Sequence, residues 1–271
     1  MRGLFFTDIA YRHPRGATSC SSGVNEGYLI MRYIYGPVKS RRLGLSLGIT
    51  LTPQKVCSFD CVYCQLGRNA DKVSARKAYL DIKDILVEFK GYLESPEYKL
   101  NPPEYISLSG FGEPTLNIDI SKLIAQIKKL VTRIPLVLIT NSSLFSQIQA
   151  RSDVLEADVI IPSLDAVTQD IFEQIDRPLS DIKIEDIIRG LIALRKEFKG
   201  KIFLEIMLVK DINDSLDYAY KFKQAAQKIN PDKIQLNIPA RSTAESWVKP
   251  PDKERLLEIK EILGPKCEIV T

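Results

Sequence analysis

Three of the chain's five cysteines, Cys57, Cys61 and Cys64, fall within eight positions in the run VCSFDCVYCQLG (56–67). Thiolates are soft ligands that suit zinc and iron–sulfur clusters. A closed zinc site needs four Cys or His ligands. The single histidine, His13, lies near the start of the chain, so zinc would have to recruit Cys20 or Cys267 from the chain ends. A thiol redox pair and three unrelated core cysteines are the other readings. A 4Fe-4S cluster held by three thiolates, with its fourth iron left open to a further ligand, fits the pattern best.

The elements that must position these thiols show in the hydrophobic pattern. Short runs rich in Ile, Val and Leu predict strands at LGITLT (47–52), YISLS (105–109), PLVLIT (135–140), DVIIPS (158–163), IFLEIMLV (202–209) and KIQLNI (233–238). Amphipathic segments near 81–94, 119–132, 143–151, 181–197, 214–228 and 251–262 predict helices between them. Such alternation implies parallel strands joined by crossover helices, as an open doubly wound sheet or an incomplete barrel. The loops leaving the strands carry TPQKVCSFDCVYC, GFGEPT, NSS, LDA, KDIND and PARSTAE. Cysteines, glycines, an acid and small polar groups therefore collect at the strand exits, where parallel α/β folds bind ligands. The expected organisation is an N-terminal extension over residues 1–34 and one α/β domain over 35–271. YLIMRYIYGPV (28–38) is suited to add a strand or cover a barrel mouth.

With Tyr63 just before the third cysteine, the spacing resembles the signature of the radical S-adenosylmethionine (radical SAM) enzymes. The resemblance implies that Cys57, Cys61 and Cys64 hold one 4Fe-4S cluster. SAM would then chelate the open iron, and an electron from the cluster would cleave it to a 5′-deoxyadenosyl radical that takes hydrogen from the substrate. Further matches occur in order. SGFGEPT (109–115) resembles the family's Gly-Gly-Glu motif, which implies SAM contacts at Gly110, Gly112 and Glu113, the acid meeting the SAM amino group. ITNSS (139–143) resembles a Thr-Asn-Gly turn, bringing in Asn141, with Ser142 where the family has glycine. PSLDA (162–166) resembles the segment that contacts ribose and carboxylate, bringing in Ser163 and Asp165. At the ends of the fifth and sixth predicted strands, Met207, Val209 and Ile238 fall where the family encloses adenine. The similarity runs over about residues 35–240 and implies the incomplete (β/α)6 barrel. YGPVKSRRLGLSLG and QLNIPARSTAESW are similar to a branch related to the wyosine-synthesising tRNA enzymes. Those enzymes carry further N-terminal cysteines for a second cluster, whereas here Cys20 and Cys267 alone remain.

Composition narrows the classes. The chain has 271 residues, 45% hydrophobic and 27% charged, which excludes a disordered or fibrous protein. No apolar run approaches the roughly 20 residues of a membrane span, and the odd, clustered cysteines argue against a disulfide framework, so a cytoplasmic location is expected. Between Val38 and Leu80 eight basic residues face two acidic ones, a local +6 against +4 for the whole chain. Arg41, Arg42, Arg76 and Lys77 in this stretch, with Lys210 and Arg241 at later strand exits, are the candidate substrate-binding residues. They point to an anionic substrate, tRNA first among them, with a flavodoxin or ferredoxin as the implied electron donor. A protein- or peptide-modifying enzyme or activase is the alternative within enzymes. An iron–sulfur or zinc nucleic-acid-binding module is the alternative outside them.

If the three clustered cysteines are the protein's whole contribution to the cluster, anaerobic reconstitution gives about four iron per chain. Cys57→Ala, Cys61→Ala and Cys64→Ala each abolish this, while Cys20→Ala and Cys267→Ala do not. Stoichiometric zinc with no iron uptake would refute the assignment.

Overall fold

Seven parallel strands and one antiparallel strand form a single sheet that follows chain order from first to last. The computed structural model describes residues 32–69 and 71–270; Cys20, His13 and the expected N-terminal extension up to residue 31 lie outside the described residues. The strands are β1 (Ile34–Ser40), β2 (Gly44–Ile49), β3 (Tyr105–Leu108), β4 (Leu136–Thr140), β5 (Val159–Pro162), β6 (Lys201–Met207), β7 (Lys233–Asn237) and β8 (Cys267–Val270). The helices are α1 (Ile82–Glu94), α2 (Pro96–Leu100), α3 (Ile120–Leu130), α4 (Ile148–Ser152), α5 (Gln169–Ile175), α6 (Ile184–Glu197), α7 (Leu216–Ile229) and α8 (Lys253–Leu263). β1 pairs antiparallel with β2, and every pairing from β2 to β8 is parallel.

The six predicted strands correspond to β2–β7, and the sheet curls into a partial barrel of the expected α/β class. Two strands extend it. β1 comes from the segment already suited to a strand, and β8 comes from CEIV, too short and too near the end to show a pattern. The first predicted strand is displaced towards the N-terminus, because Thr50–Thr52 already belong to the loop that leaves β2. The helix expected at 143–151 shrinks to the five residues of α4, since residues 143–146 form turns instead.

The parallel strands read as continuous apolar runs because both faces are covered. In β4, Leu136 and Leu138 face the main core with the helices, whereas Val137 packs with Leu43, Val159 and Ile161 inside the curl. The helices contribute one buried stripe each: Ile85, Phe89 and Tyr92 in α1, and Leu123, Ile124 and Ile127 in α3. Side-chain caps begin several of them, with Asp81 accepting from Lys83 N at 2.9 Å before α1 and Ser215 accepting from Tyr218 N at 3.2 Å before α7.

One buried asparagine fixes where the cysteine-bearing loop departs. Asn117 is fully buried and donates from Nδ2 to Leu51 O (2.9 Å) and Leu80 O (3.2 Å), so it pins both ends of the segment between β2 and α1. Asn117→Ala strands two carbonyls without their donor. The expected loss is about 2 kcal/mol of unfolding free energy, read as a lower urea midpoint with an unchanged slope. A midpoint equal to wild type would show the carbonyls finding other donors.

Candidate active site

The loop after β2 is stitched to its neighbours through the backbone. Glu113 N donates to Val56 O at 2.9 Å and Lys55 N to Phe111 O at 2.5 Å, tying the loop to the one after β3. Asp60 N and Val62 N donate to Asp176 O (3.0 Å) and Ile175 O (2.9 Å) at the end of α5, and Glu245 N after β7 donates to Val62 O at 3.0 Å. Asn69 closes the loop on itself, donating from Nδ2 to Cys57 O and Phe59 O. A long irregular segment with its backbone groups satisfied in this way holds its side chains in register.

The three thiols each have a polar neighbour. Cys57 Sγ accepts from Asn141 Nδ2 at 3.5 Å, Cys61 Sγ donates to Asp176 Oδ1 at 3.3 Å, and Lys55 Nζ lies 3.8 Å from Cys64 Sγ. Lys55 reaches that sulfur from a left-handed backbone conformation (φ 65°) and also donates to Gly67 O. Around them stands a second group of acids. Tyr63 OH donates to Asp165 Oδ2, and Asp165 Oδ1 accepts from Met207 N at 2.7 Å. Tyr63, Asn141, Ser163, Asp165 and Asp176 line one small cavity beside the cysteine loop.

Nearly all these groups are driven towards their neutral forms, and burial is the first cause each time. The Cys57 thiol is pushed up to about 12, and the Cys61 thiol well above its ordinary value, with Asp176 the next contributor. Asp165 rises to about 7, and Asp176 and Tyr63 stand well above their usual ranges, each raised further by Asp165. The site thus gathers thiols and carboxyls, with Lys55 beside Cys64 and the Arg42 guanidinium acting on Tyr63 and Asp165 as counter-charges, a composition suited to a ligand that brings further positive charge. Iron ions and the sulfonium and ammonium of SAM do so. Among the described residues no three His, Cys, Asp or Glu side chains are gathered to hold a single metal ion.

The motif glycines and their neighbours have identifiable work. A Cβ on Gly112 would lie 2.0 Å from Val56 O, so its close approach is to the cysteine loop itself. Gly110 has φ +117° and packs against Thr50. Glu113 is buried and takes four donors: Thr115 N, Thr115 Oγ1 and Thr140 Oγ1 on Oε1, and Asn141 N on Oε2 at 2.7 Å. Burial raises its pKa, and these hydrogen bonds oppose the rise. Glu113 therefore fastens the β3 exit to the β4 exit and orients Asn141, whose Nδ2 also reaches Ser58 Oγ at 3.0 Å. Ser142 adopts φ 67° and donates to Ser163 O at 2.9 Å, which accounts for glycine at this position in the resembled turn.

Met207 and Val209 pack with Val62, Val248 and Tyr63. The basic residues do not form one patch. Arg42 clasps Glu205 on β6 through Nε and Nη2, and Arg41 Nη1 points to Ile238 O at 3.5 Å, while Arg241 donates to Gln65 Oε1 at 3.0 Å. Arg76 instead pairs with Asp153 (2.6 Å) and Thr115 O, Lys77 covers the Tyr79 ring, and Lys210 pairs with Asp252. Sequence reasoning missed Asp176, Glu205 and Asn213. Asn213 is fully buried and donates to Asp165 O and Met207 O, both at 2.8 Å. Its one sequence signal was its place in the KDIND exit loop.

Comparison with known proteins agrees with this geometry. Residues 51–222 match the Radical SAM superfamily. A UPF0026 protein of Methanocaldococcus jannaschii is 38% identical over 240 residues, covering 86% of this chain and 73% of that protein. A protein of Brachyspira hyodysenteriae named GTPase Obg is 41% identical over 238 residues, 87% of this chain, but the chain spans 34% of that protein's length. The present sequence contains no Gly-x4-Gly-Lys-Ser/Thr phosphate loop. Among solved structures, a radical SAM methyltransferase from Sphaerobacter thermophilus superposes with a TM-score of 0.61 at 15% identity, over 83% of this chain and 66% of that one. TYW1 with a lysine-pyruvate adduct bound gives 0.58 at 17%, over 82% and 74%. The chain belongs to the radical SAM superfamily and, within it, to the UPF0026 proteins. It is an enzyme of the radical SAM kind, a class whose cofactors are SAM and a 4Fe-4S cluster. No helix among the described residues is long and apolar enough to cross a membrane.

Gly112→Ala forces a methyl group into the backbone at Val56, next to Cys57. Iron retained after anaerobic reconstitution and desalting is expected to fall at least several-fold, with a lower melting temperature. Full iron content at wild-type stability would show that the loop can retreat freely.

Proposed function

We propose that Cys57, Cys61 and Cys64 ligate a single 4Fe-4S cluster, and that the strand exits carrying Gly110, Glu113, Asn141, Ser163 and Asp165 seat SAM beside it. Together the bound cluster and SAM supply one-electron cleavage of SAM and hydrogen abstraction from a substrate. The observation that carries the reading is the buried crowd of thiols and carboxyls around the cysteine loop, joined pairwise by Cys61 on Asp176 and Tyr63 on Asp165 and driven towards their neutral forms by burial. Asn141 and Lys55 place hydrogen-bond donors at the sulfurs of Cys57 and Cys64, which raises a cluster's potential. Tyr63 and Asp165 form one hydrogen-bonded wall, with Met207 and Val209 as its apolar continuation towards the adenine side. Ile238, just past β7 and packed against the main core, is the remaining candidate on the adenine side.

The substrate in this reading is anionic and the electron donor a flavodoxin or ferredoxin, in the cytoplasm. RNA is the first candidate. A Thermotoga petrophila protein named probable dual-specificity RNA methyltransferase is 26% identical over 228 residues, 81% of this chain and 63% of that protein. This supports RNA as the first class to try.

Reduced, iron-loaded protein is expected to convert SAM slowly to 5′-deoxyadenosine and methionine without substrate. Glu113→Ala removes the anchor of Thr140 and Asn141, and SAM affinity is expected to fall about 10- to 100-fold, the loss of one charge-assisted hydrogen-bonding partner. Iron-loaded protein that binds SAM without ever cleaving it under strong reduction would overturn the radical chemistry.

A further inference from the structure

The turn between β1 and β2 reaches across to the far strands of the same sheet. Arg42 grips Glu205 on β6, its Nη2 at 2.9 Å from Oε1, and Asn237 Nδ2 on β7 supports the same carboxylate at 3.3 Å. The backbone joins in, with Gln235 Nε2 donating to Arg42 O at 3.3 Å. Arg42 is thereby neutralised and fixed in place.

Its neighbour is carried to the same place without being neutralised. Arg41 Nη1 ends 3.5 Å from Ile238 O, just past β7, and no ion pair is formed by Arg41 among the described residues. Three residues further on, Arg241 is exposed and rests on the neutral amide oxygen of Gln65, the residue after Cys64. Two guanidiniums therefore flank the β7 exit beside the cysteine loop, and Glu205, the nearest carboxylate, is already held by Arg42. Partial burial holds the Arg41 pKa below the ordinary arginine value, and the like charges of Arg42 and Arg241 push it the same way.

Three other cations of the basic segment do not continue the track. Arg76 is paired with Asp153, Arg68 with Glu245, and Lys72 donates to the carbonyls of Arg177 and Pro178. Binding a run of phosphates needs many unpaired cations in line. Two planar forks suit one group with two or three charged oxygens.

We infer that Arg41 and Arg241 form a subsite for one phosphate or carboxylate group of the substrate, with Arg42, locked to Glu205, positioning Arg41. This rests on the reading that a substrate enters beside the cysteine loop, and it narrows that substrate's anionic contact there to a single group. The shared chemistry is an oxyanion; whether phosphate or carboxylate is preferred is left to the two arms of the test.

Binding of inorganic phosphate and of malonate to iron-loaded wild type, Arg41→Gln, Arg41→Lys, Arg241→Gln and the exposed control Arg133→Gln is measured by anaerobic equilibrium dialysis. At least one probe is expected to bind wild type, with affinity about 10-fold lower in Arg41→Gln and in Arg241→Gln, partly restored in Arg41→Lys and unchanged in Arg133→Gln. Affinity is expected to fall as ionic strength rises, and saturating SAM leaves the probe bound. Unchanged affinity in both Gln variants, displacement by SAM, or no binding of either probe to wild type would overturn the subsite. Melting temperatures separate a misfolded Arg41→Gln from a binding defect, and Arg241→Gln, at an exposed position, tests the subsite independently. SAM cleavage by the same wild-type preparation keeps the two ideas apart. Cleavage without probe binding removes the subsite alone, and probe binding without cleavage removes the radical reading alone.

Discussion

Burying anionic groups together is costly unless something positive shares the space, and around the cysteine loop the fold buries several. Cys57, Cys61, Tyr63, Asp165 and Asp176 are all driven towards their neutral forms, first by burial and then by neighbouring acids and thiols. The protein offers hydrogen bonds as partial relief. Tyr63 OH and Met207 N serve Asp165, the Cys61 thiol serves Asp176, and Asn141 serves Cys57. Lys55 brings a full charge to the Cys64 sulfur, and it does so from a conformation that an ordinary residue adopts rarely. Such a composition suits a guest that brings positive charge.

The loops are correspondingly stiff. Glu113 does not stand free at the β3 exit. It is the knot to which Thr115, Thr140 and Asn141 are tied, so a residue expected to meet a ligand first holds two strand exits together. Gly112 serves the same end by letting the loop after β3 lie against Val56. Asn213 does for the exits of β5 and β6 what Glu113 does for those of β3 and β4, bridging the backbones of Asp165 and Met207. Positioning of this kind fixes side chains with few degrees of freedom, which suits chemistry that depends on closeness of reacting atoms more than on a tuned proton transfer.

The arginines divide the opposite charge between structure and surface. The Arg42–Glu205 pair lies inside the curl and is bidentate, braced by Asn237; removing one partner would leave the other charge buried. It clasps the first hairpin of the sheet to β6 and β7 across an incomplete barrel, whose first and last strands are not paired with each other. Arg41 and Arg241 are left facing the rim beside this clasp.

Sequence by itself determined the local chemistry and the order of the elements. Three cysteines on one loop, a Gly-rich turn ending in Glu113, and apolar runs alternating with amphipathic segments are short-range patterns, and each is readable because its residues are neighbours in the chain. The positive φ of Ser142 was foreshadowed by a serine standing where the resembled turn has glycine. What only the tertiary structure decided was which charges meet. Arg42 and Glu205 are 163 residues apart, Cys61 and Asp176 are 115 apart, and Tyr63 and Asp165 are 102 apart. The +6 of the basic segment looked like one field because a sequence shows charges without their partners. Folding sent Arg76 to Asp153 and Arg42 to Glu205 and brought Arg41 towards Arg241, because the curl of a parallel sheet joins strand exits that the chain keeps far apart.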